Sequence, residues 1–390
     1  MKLFLALGPG DIVSAARRRL AGKEIPETSI AFSEQIFTYC RSEKIETLAI
    51  SSCPRIDQLR DGKLEIRNRP KLLKSPVGIL YHINAIHYAC YIAWQARYFG
   101  ADIAIIDSGT THYFLLTAFR VLGIRVAVNL HNVLWPVGFP PRQRIQRVLR
   151  SLNAWFFRNI ASGAIGVSPE CERQVLMEAQ HRIPFFQYRC QFLTDGFKKS
   201  PAYQSGNFNI ACVGRIEENK GFLDIPHIAK ILQSKLTAPV VFHVCGEGPA
   251  LSQLRDEVRQ RDLGDRIIIH GRLERSALLE LYANCHAVIV PTRSTFSEGM
   301  PQVCAEAVLS GLPVITSPVS NAFDVIGSAI VPTETDKVDS YANSIYELVT
   351  NTALYRERRG SCAQTSTQFI DANQSYSAAV NRLILKMFPK

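Results

Sequence analysis

The segment from Pro291 to Ser317, PTRSTFSEGMPQVCAEAVLSGLPVITS, constrains the fold more than any other part of this chain. Its apolar run, residues 303–309, predicts a helix, and Gly311 with Pro313 beyond it provides the residues that usually end one. A run typical of a β-strand, residues 313–316, follows directly. The segment therefore predicts a loop, a helix and a strand in succession.

Two acids of this segment, Glu298 and Glu306, stand eight positions apart. The first lies in the loop before the helix and the second lies along the helix, where eight residues rise about 12 Å. Two carboxylates that flank one glycosidic bond stand only about 5 to 9.5 Å apart. The spacing instead suits an extended ligand with hydroxyl groups at both ends and an anion in the middle.

The start of this helix offers a place for that anion. The backbone N–H groups expected to face it belong to Gly299, Met300, Gln302 and Val303. The helix dipole favours negative charge there, and Pro301 lacks an N–H at little cost in a first turn. The alternative is that Glu298 caps the helix and Glu306 is a solvated helix residue.

A second loop upstream carries two cations. A predicted strand, residues 209–214, runs into Arg215, and Lys220 follows just before an apolar segment, 222–232. Loops at the carboxyl ends of strands are where ligands bind in open α/β sheets. Two cations at a helix start can clamp a diphosphate. Taken alone, the loop could equally be a solvated turn in which Glu217 and Glu218 neutralise these cations.

Four motifs occur in a fixed order along residues 205–350: GRIEENKG (214–221), HVCGEGP (243–249), HGRL (270–273) and SEGMPQVCAEA (297–307). This ordered set resembles the donor domain of retaining glycosyltransferases of family 4. The resemblance implies the GT-B fold, an α/β architecture in which two Rossmann-like doubly wound domains face each other across a cleft. The sequence departs from many members at Met300-Pro301, where an aromatic residue and Gly are more usual.

The resemblance also implies roles for individual residues. Arg215 and Lys220 would bind the donor diphosphate, Glu298 the sugar and Glu306 the ribose hydroxyls. The donor-binding set it implies is Gly214, Arg215, Lys220, Gly271, Arg272, Leu273, Glu298, Gly299, Met300, Pro301, Gln302 and Glu306. No cofactor is expected, because the nucleotide sugar is itself a substrate. No metal ligand is expected, because the two cations at a helix start can clamp the diphosphate. Gly246 and Gly248 are interpreted as ordinary turn residues.

The amino-terminal half alternates between strand-like and helix-like runs, which favours a parallel sheet with helices on both faces. Strands are predicted near residues 2–7, 47–51, 103–106, 126–130 and 164–167. In the family a Gly-rich loop after the first strand helps to form the cleft, which maps onto Gly8 and Gly10. His131 follows the fourth strand, and the resemblance places it beside the reacting sugar as a catalytic residue. The alternative is a hydrogen-bonded histidine at a strand end.

Length and composition favour two domains that can each bury a core. The chain has 390 residues, 47% of them hydrophobic, and length alone favours two domains. The predicted ranges are 1–200 for acceptor binding and 201–374 for the nucleotide-sugar donor. The segment 375–390 is predicted to be a helix that crosses back to the first domain. Ten cysteines without a CxxC pair indicate buried thiols in a reducing compartment, and no window is apolar enough to span a bilayer.

Positive charge is concentrated in the amino-terminal half, where residues 1–200 hold 27 Lys and Arg but 15 Asp and Glu. The sharpest cluster lies in 140–160, which interleaves apolar residues with Arg142, Arg144, Arg147, Arg150 and Trp155. A helix of this composition suits an anionic membrane surface, although an amphipathic helix packed on its own domain fits equally well. No recognition motif indicates nucleic acid.

The sequence therefore predicts a metal-independent glycosyltransferase with a glycan or lipid-linked glycan as acceptor, and the family resemblance implies that the transfer retains the anomeric configuration. Surface polysaccharide or glycolipid assembly is the expected role. The expected location is cytoplasmic, peripheral at the inner face of the cell membrane. Two alternatives stay open: a nucleotide-sugar epimerase on the same fold, which would consume donor without any acceptor, and a non-catalytic subunit that binds the donor without turnover.

Overall fold

The computed structural model describes residues 1–22 and 27–389, so residues 23–26 and 390, which the predicted domain ranges include, lie outside the described residues. In chain order the strands are β1 (Lys2–Leu7), β2 (Ser29–Ile30), β3 (Glu46–Ser51), β4 (Asp57–Asp61), β5 (Leu64–Asn68), β6 (Ile103–Asp107), β7 (Arg125–Leu130), β8 (Gly163–Gly166), β9 (Phe185–Gln187), β10 (Gln191–Phe192), β11 (Phe208–Val213), β12 (Val240–Cys245), β13 (Ile267–Gly271), β14 (Ala287–Val290), β15 (Val314–Thr316) and β16 (Ile330–Pro332). The helices are α1 (Ile12–Leu20), α2 (Phe32–Ser42), α3 (Ile79–Phe99), α4 (Thr117–Val121), α5 (Arg144–Asn159), α6 (Pro169–Glu178), α7 (Ile225–Lys235), α8 (Leu251–Gln260), α9 (Arg275–Ala283), α10 (Gln302–Leu309), α11 (Phe323–Ile326), α12 (Val338–Thr350), α13 (Thr352–Ser366) and α14 (Tyr376–Met387).

The amino-terminal half folds around an eight-stranded sheet in the order β4-β5-β3-β1-β6-β7-β8-β9. Its central strands are buried along almost their whole length, as expected of a parallel sheet with helices on both faces. The pair β4 and β5 departs from the parallel pattern and forms an antiparallel hairpin at the sheet edge. A two-residue turn joins its strands, and Gly62 at the first turn position has φ of 59°, which favours glycine.

The carboxyl-terminal half contains a six-stranded sheet, β13-β12-β11-β14-β15-β16, in which every neighbouring pair is parallel. Alternate residues of a strand point to opposite faces, and β11 illustrates the consequence. Ile210 and Cys212 join a hydrophobic core on one face, whereas Ala211 joins a second core on the other. This half is thus a three-layer α/β domain, and the predicted fold class is confirmed.

Two structural links connect the halves. Residues 193–207 contain neither helix nor strand and lead from the first sheet to the second. Helix α14 returns to the first domain, where Tyr376, Val380 and Leu383 are buried in the core of the eight-stranded sheet. Ser375 caps this helix by accepting a hydrogen bond from the Ala378 N–H at 3.1 Å. The first domain therefore owes part of its core to residues far away in the chain.

Candidate active site

A cavity of about 570 Å³ lies between the two domains. The carboxyl-terminal domain contributes Lys220, Glu298 and Glu306 to its lining, and the amino-terminal domain contributes Phe32 and His131. Clefts at the carboxyl ends of parallel strands, with a few convergent polar groups, are the usual ligand sites of such folds. The structure thus brings the two predicted acids and the predicted histidine into one space.

Lys220 and Glu298 form the central ion pair of the cavity. The Lys220 Nζ lies 2.5 Å from Glu298 Oε2, and it also lies 4.1 Å from the centre of the Phe296 ring. The Thr292 hydroxyl is 3.3 Å from the same carboxylate oxygen. Glu298 is buried, and burial makes such a pair costly to break by removal of one partner. The sequence left open a pairing of Lys220 with Glu217 or Glu218, but the structure pairs it with Glu298.

Gly221 fixes the position of Lys220. It has φ of 75°, and a Cβ at this residue would lie 2.0 Å from the Pro291 carbonyl oxygen. Only glycine combines this backbone conformation with so close an approach. The loop after β11 is therefore pressed against the end of β14, which brings Lys220 to the acid that follows that strand.

The other predicted cation, Arg215, lies at the cavity rim. Its guanidinium is 2.7 Å from Glu217, and 65% of its side chain is exposed. A third cation, Arg189, also lines the cavity but is buried. Its guanidinium donates to the carbonyl oxygens of Val167 and Tyr188 at 3.2 and 3.1 Å. No carboxylate within residues 1–22 and 27–389 forms an ion pair with Arg189, so its positive charge stays available to a bound anion.

Glu306 is buried on α10 and does not face solvent. The Tyr282 hydroxyl donates to its Oε2 at 2.5 Å, and the Thr28 hydroxyl of the first domain donates to its Oε1. Burial raises the pKa of Glu306, and the two hydrogen bonds partly oppose that change. The carboxylate thus has a protein hydroxyl partner at each oxygen.

Replacing Glu306 by glutamine is expected to raise the melting temperature at neutral pH. The pKa of Glu306 is higher in the folded than in the unfolded protein, so its ionised form disfavours folding as pH rises through that folded pKa. The difference between the melting temperatures of variant and wild type should appear as pH rises above the ordinary glutamate pKa of about 4.3, and it should stop growing once pH exceeds the raised pKa of folded Glu306. A change of about 1 kcal/mol in the free energy of unfolding shifts the melting temperature by roughly 2–4 °C in domains of this size.

Thermal unfolding of both proteins across this pH range measures the effect. The matched control is Glu280→Gln, because Glu280 is exposed and its ion pair with Lys198 spans 3.4 Å. Its melting temperature should follow that of the wild type at every pH. If the difference in melting temperature between Glu306→Gln and the wild type does not change with pH, burial of the ionised Glu306 carboxylate does not destabilise the fold.

His131 follows β7 and is held from several sides. Its Nε2 lies 3.2 Å from Asp107 Oδ2, and its Nδ1 lies 3.2 Å from the Tyr188 hydroxyl. Phe32 stacks on the imidazole with 5.0 Å between ring centroids. Asn129 donates to Asp107 Oδ1 at 2.7 Å and so fixes the carboxylate that orients the histidine. This arrangement gives His131 a defined orientation at the cavity wall.

Gly299 brings the two domains into direct contact. A Cβ at this position would lie 1.8 Å from the His131 carbonyl oxygen and 2.8 Å from Val167 Cγ2. The loop that carries Glu298 therefore touches the end of β7 without an intervening side chain. On the same interface the Ser29 hydroxyl donates to Gln302 Oε1 at 3.0 Å. The described conformation is a closed one.

Met300, Pro301 and Gln302 line the cavity as well, and Gly214 forms part of its floor. Helix α10 begins at Gln302, so Pro301 is the capping residue, not a residue of the first turn as predicted. The missing N–H of proline is harmless at either position.

Other predicted residues lie farther from this cavity. Gly271, Arg272 and Leu273 follow or end β13 and are absent from its lining. The Gly271 carbonyl accepts from the Gly246 N–H at 2.8 Å. Gly8 and Gly10 are also absent from the lining, although the Gly8 N–H donates to Asp107 Oδ2 at 3.2 Å.

Gly246 and Gly248 do more than form a turn, which corrects their predicted role. A Cβ at Gly246 would lie 1.8 Å from the Gly214 carbonyl oxygen, and one at Gly248 would lie 2.3 Å from that of Ile216. These glycines let two strand-end loops pack backbone to backbone. They support the loop that carries Arg215.

The arginine-rich segment forms α5, whose exposed residues include Arg144, Arg147 and Trp155; Arg142 precedes the helix and is exposed too. Arg150 was predicted to face a membrane together with these residues, but in the structure it contacts its own domain. It lies 2.6 Å from buried Glu178, and its guanidinium stacks 4.2 Å from the centre of the Trp135 ring. That contact holds Arg150 against its own domain. No helix within residues 1–22 and 27–389 is long and apolar enough to cross a membrane.

Sequence reasoning missed the residues that orient the predicted ones, chiefly Thr28, Tyr282, Asp107 and Asn129. Asp107 carried a usable signal, because it is an acid at the end of a fully buried strand. Thr28 and Tyr282 carried none, since their partner Glu306 is distant in the chain. Among the described residues, no group of three His, Cys, Asp or Glu is placed to hold a metal ion.

A known family model matches most of the second domain. Residues 195–368 match the model of a family described as glycosyl transferases group 1. This range contains Lys220, Glu298 and Glu306, and so the whole carboxyl-terminal wall of the cavity. The match supports a group 1 glycosyltransferase domain.

Two relatives match parts of the chain. A 2-deoxystreptamine N-acetyl-D-glucosaminyltransferase of Streptomyces fradiae is 27% identical over 34% of this chain. The aligned part spans only 31% of that relative's own length. The second relative is a Bacillus subtilis (strain 168) protein named as the glycosyltransferase EpsF. It is 25% identical over 69% of this chain and 71% of its own length. These names support glycosyltransferase activity.

Solved structures agree on the fold. The sucrose-phosphate synthase of Thermosynechococcus elongatus superposes with a TM-score of 0.74 over 100% of this chain and 99% of its own, at 14% identity. The Anabaena protein HepE, solved with UDP and glucose, superposes with a TM-score of 0.62 over 99% of this chain and 98% of its own, at 17% identity. The chain has the GT-B fold.

Proposed function

We propose that this chain, with its GT-B fold and group 1 glycosyltransferase domain, moves a sugar from a nucleotide donor to a glycan hydroxyl group. The observation that carries the proposal is the shared cavity, where Lys220, Glu298, Glu306 and His131 face one space. Its volume of about 570 Å³ falls in the range of small-molecule sites. A nucleotide sugar would bridge the two acids.

The cations would serve the departing diphosphate. In the transfer, the bond between the anomeric carbon and the diphosphate breaks, and its electron pair leaves with the diphosphate. The acceptor oxygen forms the new bond to that carbon and loses its proton. Fixed positive charge helps most where negative charge develops, and Lys220, Arg215 and Arg189 all reach the cavity. We therefore propose a metal-independent reaction.

The ion pair of Lys220 suggests how the donor would engage. An incoming diphosphate would compete with Glu298 for the ammonium group, which now lies 2.5 Å from that carboxylate. Glu298, once released, would be free to accept hydrogen bonds from the sugar hydroxyls. Glu306 would exchange its contact with Thr28 for the ribose. His131 would orient the sugar from the opposite wall.

The stereochemical course is part of the proposal. The ordered motifs from GRIEENKG to SEGMPQVCAEA resemble retaining family 4 enzymes, and we propose retention at the anomeric carbon on that basis. No residue is assigned as a covalent nucleophile. The HGRL segment, with Gly271, Arg272 and Leu273, would approach the base once the donor is bound.

The acceptor is proposed to be a glycan or a lipid-linked glycan in surface polysaccharide or glycolipid assembly. The supporting observation is α5, which exposes Arg144, Arg147 and Trp155. Basic amphipathic helices of this kind bind anionic lipid surfaces. The proposed location is cytoplasmic, at the inner face of the cell membrane.

Nucleotide binding tests the donor site. UDP, GDP, ADP and CDP, with their common sugars, are each added at about 100 times the dissociation constant, which should stabilise the protein by about 2.7 kcal/mol. Nucleotides with one particular base should raise the melting temperature of the wild type. The same nucleotides should raise the melting temperature of Glu306→Ala clearly less. Thermal unfolding measures both.

The other outcomes separate the alternatives. Failure of every nucleotide to stabilise the wild type would refute the donor site. Donor consumption without any acceptor would favour an epimerase. Tight nucleotide binding without turnover on any glycan would favour a non-catalytic binding subunit.

A further inference from the structure

Helix α3 exposes an apolar stripe that the sequence did not assign. Its 21 residues include Ile79, Leu80, Ile83, Ile86, Trp94 and Tyr98, all of them exposed. Most of these residues recur at intervals of three or four, so they share one side of the helix. A helix of this length extends about 30 Å. Exposed apolar surface of that extent marks an interaction site.

Helix α5 presents a second stripe of the same kind. Ile145, Val148, Leu152 and Trp155 are exposed at intervals of three and four. The segment between β6 and α4 joins the two helices. On one side His112 lies 2.9 Å from His82 of α3, and on the other the Asn153 side chain of α5 accepts from the Phe114 N–H at 3.2 Å. The stripes therefore belong to neighbouring elements of one domain.

The charge of this region identifies the kind of partner. Residues 66–169 contain twelve Lys and Arg but only two acids, Asp102 and Asp107. Two of these cations pair with acids outside the range, Arg67 with Glu65 and Arg150 with Glu178. Both acids are engaged elsewhere, since Asp102 accepts from the Lys2 N–H at 2.6 Å and Asp107 orients His131. An apolar surface with cations, Trp and Tyr but almost no acids matches an anionic bilayer, where aromatic rings favour the interface.

A second cavity lies between these helices. It has a volume of about 470 Å³, and its lining includes Tyr81 of α3, Leu149 of α5 and buried Trp135. Asn132 lines both this cavity and the one that holds Glu298. Ser297 belongs to the second lining too, directly beside Glu298. The second cavity therefore adjoins the cavity of Glu298 at Asn132.

We infer that α3 and α5 dock together on an anionic lipid bilayer, so that an acceptor anchored in the bilayer reaches the cleft through the cavity between them. This inference rests on the proposed glycosyl transfer and adds to it the route of the acceptor. The two helices form one docking face. The acceptor is an amphiphile that stays in the membrane during the reaction.

Vesicle binding tests the contribution of α3. Phosphatidylcholine vesicles with and without phosphatidylglycerol are sedimented with the wild type and with the double variant Ile83→Asp/Ile86→Asp. The wild type should bind the anionic vesicles, and the variant should bind them at least about tenfold more weakly, because two exposed apolar side chains can no longer enter the bilayer. The matched control is Leu385→Asp, which replaces a similarly exposed residue of α14, a helix packed on α2.

Several outcomes would overturn the inference. Equal binding of the double variant and the wild type would show that α3 stays off the bilayer. Lipid docking would be refuted if the wild type does not bind anionic vesicles. It would also be refuted if the wild type forms a dimer through this face. Nucleotide stabilisation of the double variant should equal that of the wild type. If it does while vesicle binding is absent, only the docking inference fails; if no nucleotide stabilises either protein, the donor site itself fails.

The three tryptophans, Trp94, Trp135 and Trp155, report on the three parts of the proposed route. Lipids brominated on the acyl chain should quench Trp94 fluorescence in Trp135→Phe/Trp155→Phe and Trp155 fluorescence in Trp94→Phe/Trp135→Phe. In Trp94→Phe/Trp155→Phe only Trp135 remains, and a nitroxide on the lipid head group should quench it. If the lipids quench Trp155 but do not quench Trp94, α3 does not enter the bilayer. Unquenched Trp135 would refute entry of head groups into the cavity.

Discussion

The Lys220→Ala protein is expected to lose about 10²–10³-fold in the rate constant of sugar transfer, the usual cost of removing one preorganised group that stabilises developing negative charge. Lys220 is the innermost cation of the loop after β11, and Gly221 fixes its position. Its ammonium group would meet the diphosphate as the glycosidic bond breaks. Single-turnover transfer from a nucleotide sugar measures the effect directly.

The control for this substitution is Lys198→Ala. Lys198 is exposed and lies 3.4 Å from Glu280 on the surface, so its loss should leave the rate constant within about twofold of the wild type. Lys220→Ala also leaves the buried Glu298 carboxylate without its partner, which lowers the melting temperature. Assays are therefore made below the unfolding transition of each protein. If Lys220→Ala transfers sugar at the wild-type rate, Lys220 does not assist the proposed reaction.

The Gly299→Ala substitution is expected to force the two domains apart. An added Cβ would stand 1.8 Å from the His131 carbonyl oxygen, and both atoms belong to backbone that is fixed by its own domain. Relief requires the loop of Glu298 to withdraw from the end of β7. A displacement of about 1 Å between reacting groups can cost about 10²-fold in rate, and we expect at least that loss in transfer.

Small-angle scattering measures the opening, and transfer kinetics measures its cost. The matched control is Gly360→Ala, since a Cβ at Gly360 in α13 meets no atom within 4 Å. This control should keep the wild-type radius of gyration and activity. A closed, fully active Gly299→Ala protein would show that catalysis does not need the close contact at His131.

Local patterns predicted the parts of the site that short segments of chain determine. The strand before Arg215, the helix of Glu306 and the stop at Gly311 all depend on neighbours within a few residues, and the structure has each of them. The hairpin of β4 and β5 also left a signal, Gly62 followed by Lys63 at its two-residue turn. That signal was overlooked because the surrounding residues are mostly polar.

Contacts between distant segments were beyond the reach of such patterns. Thr28 and Glu306 are separated by 278 positions, and nothing in either segment specifies the other. Arg150 illustrates the same limit within a helix. Periodicity predicted an amphipathic α5, but the position of Glu178 and Trp135 decides that this arginine turns toward its own domain. Which side of an amphipathic helix is covered depends on the tertiary fold.

Helix α14 gives the chain an unusual order of assembly. The core of the eight-stranded sheet includes Tyr376, Val380 and Leu383, yet the last strand of that sheet, β9, ends at Gln187. At about 5–20 residues per second, a ribosome needs roughly 10–40 s to translate the stretch between them. During that time the nascent first domain exposes the apolar groove that α14 later fills. Synthesis of the second domain thus precedes completion of the first, and chaperones that bind apolar surface would have their longest access to this protein in that interval.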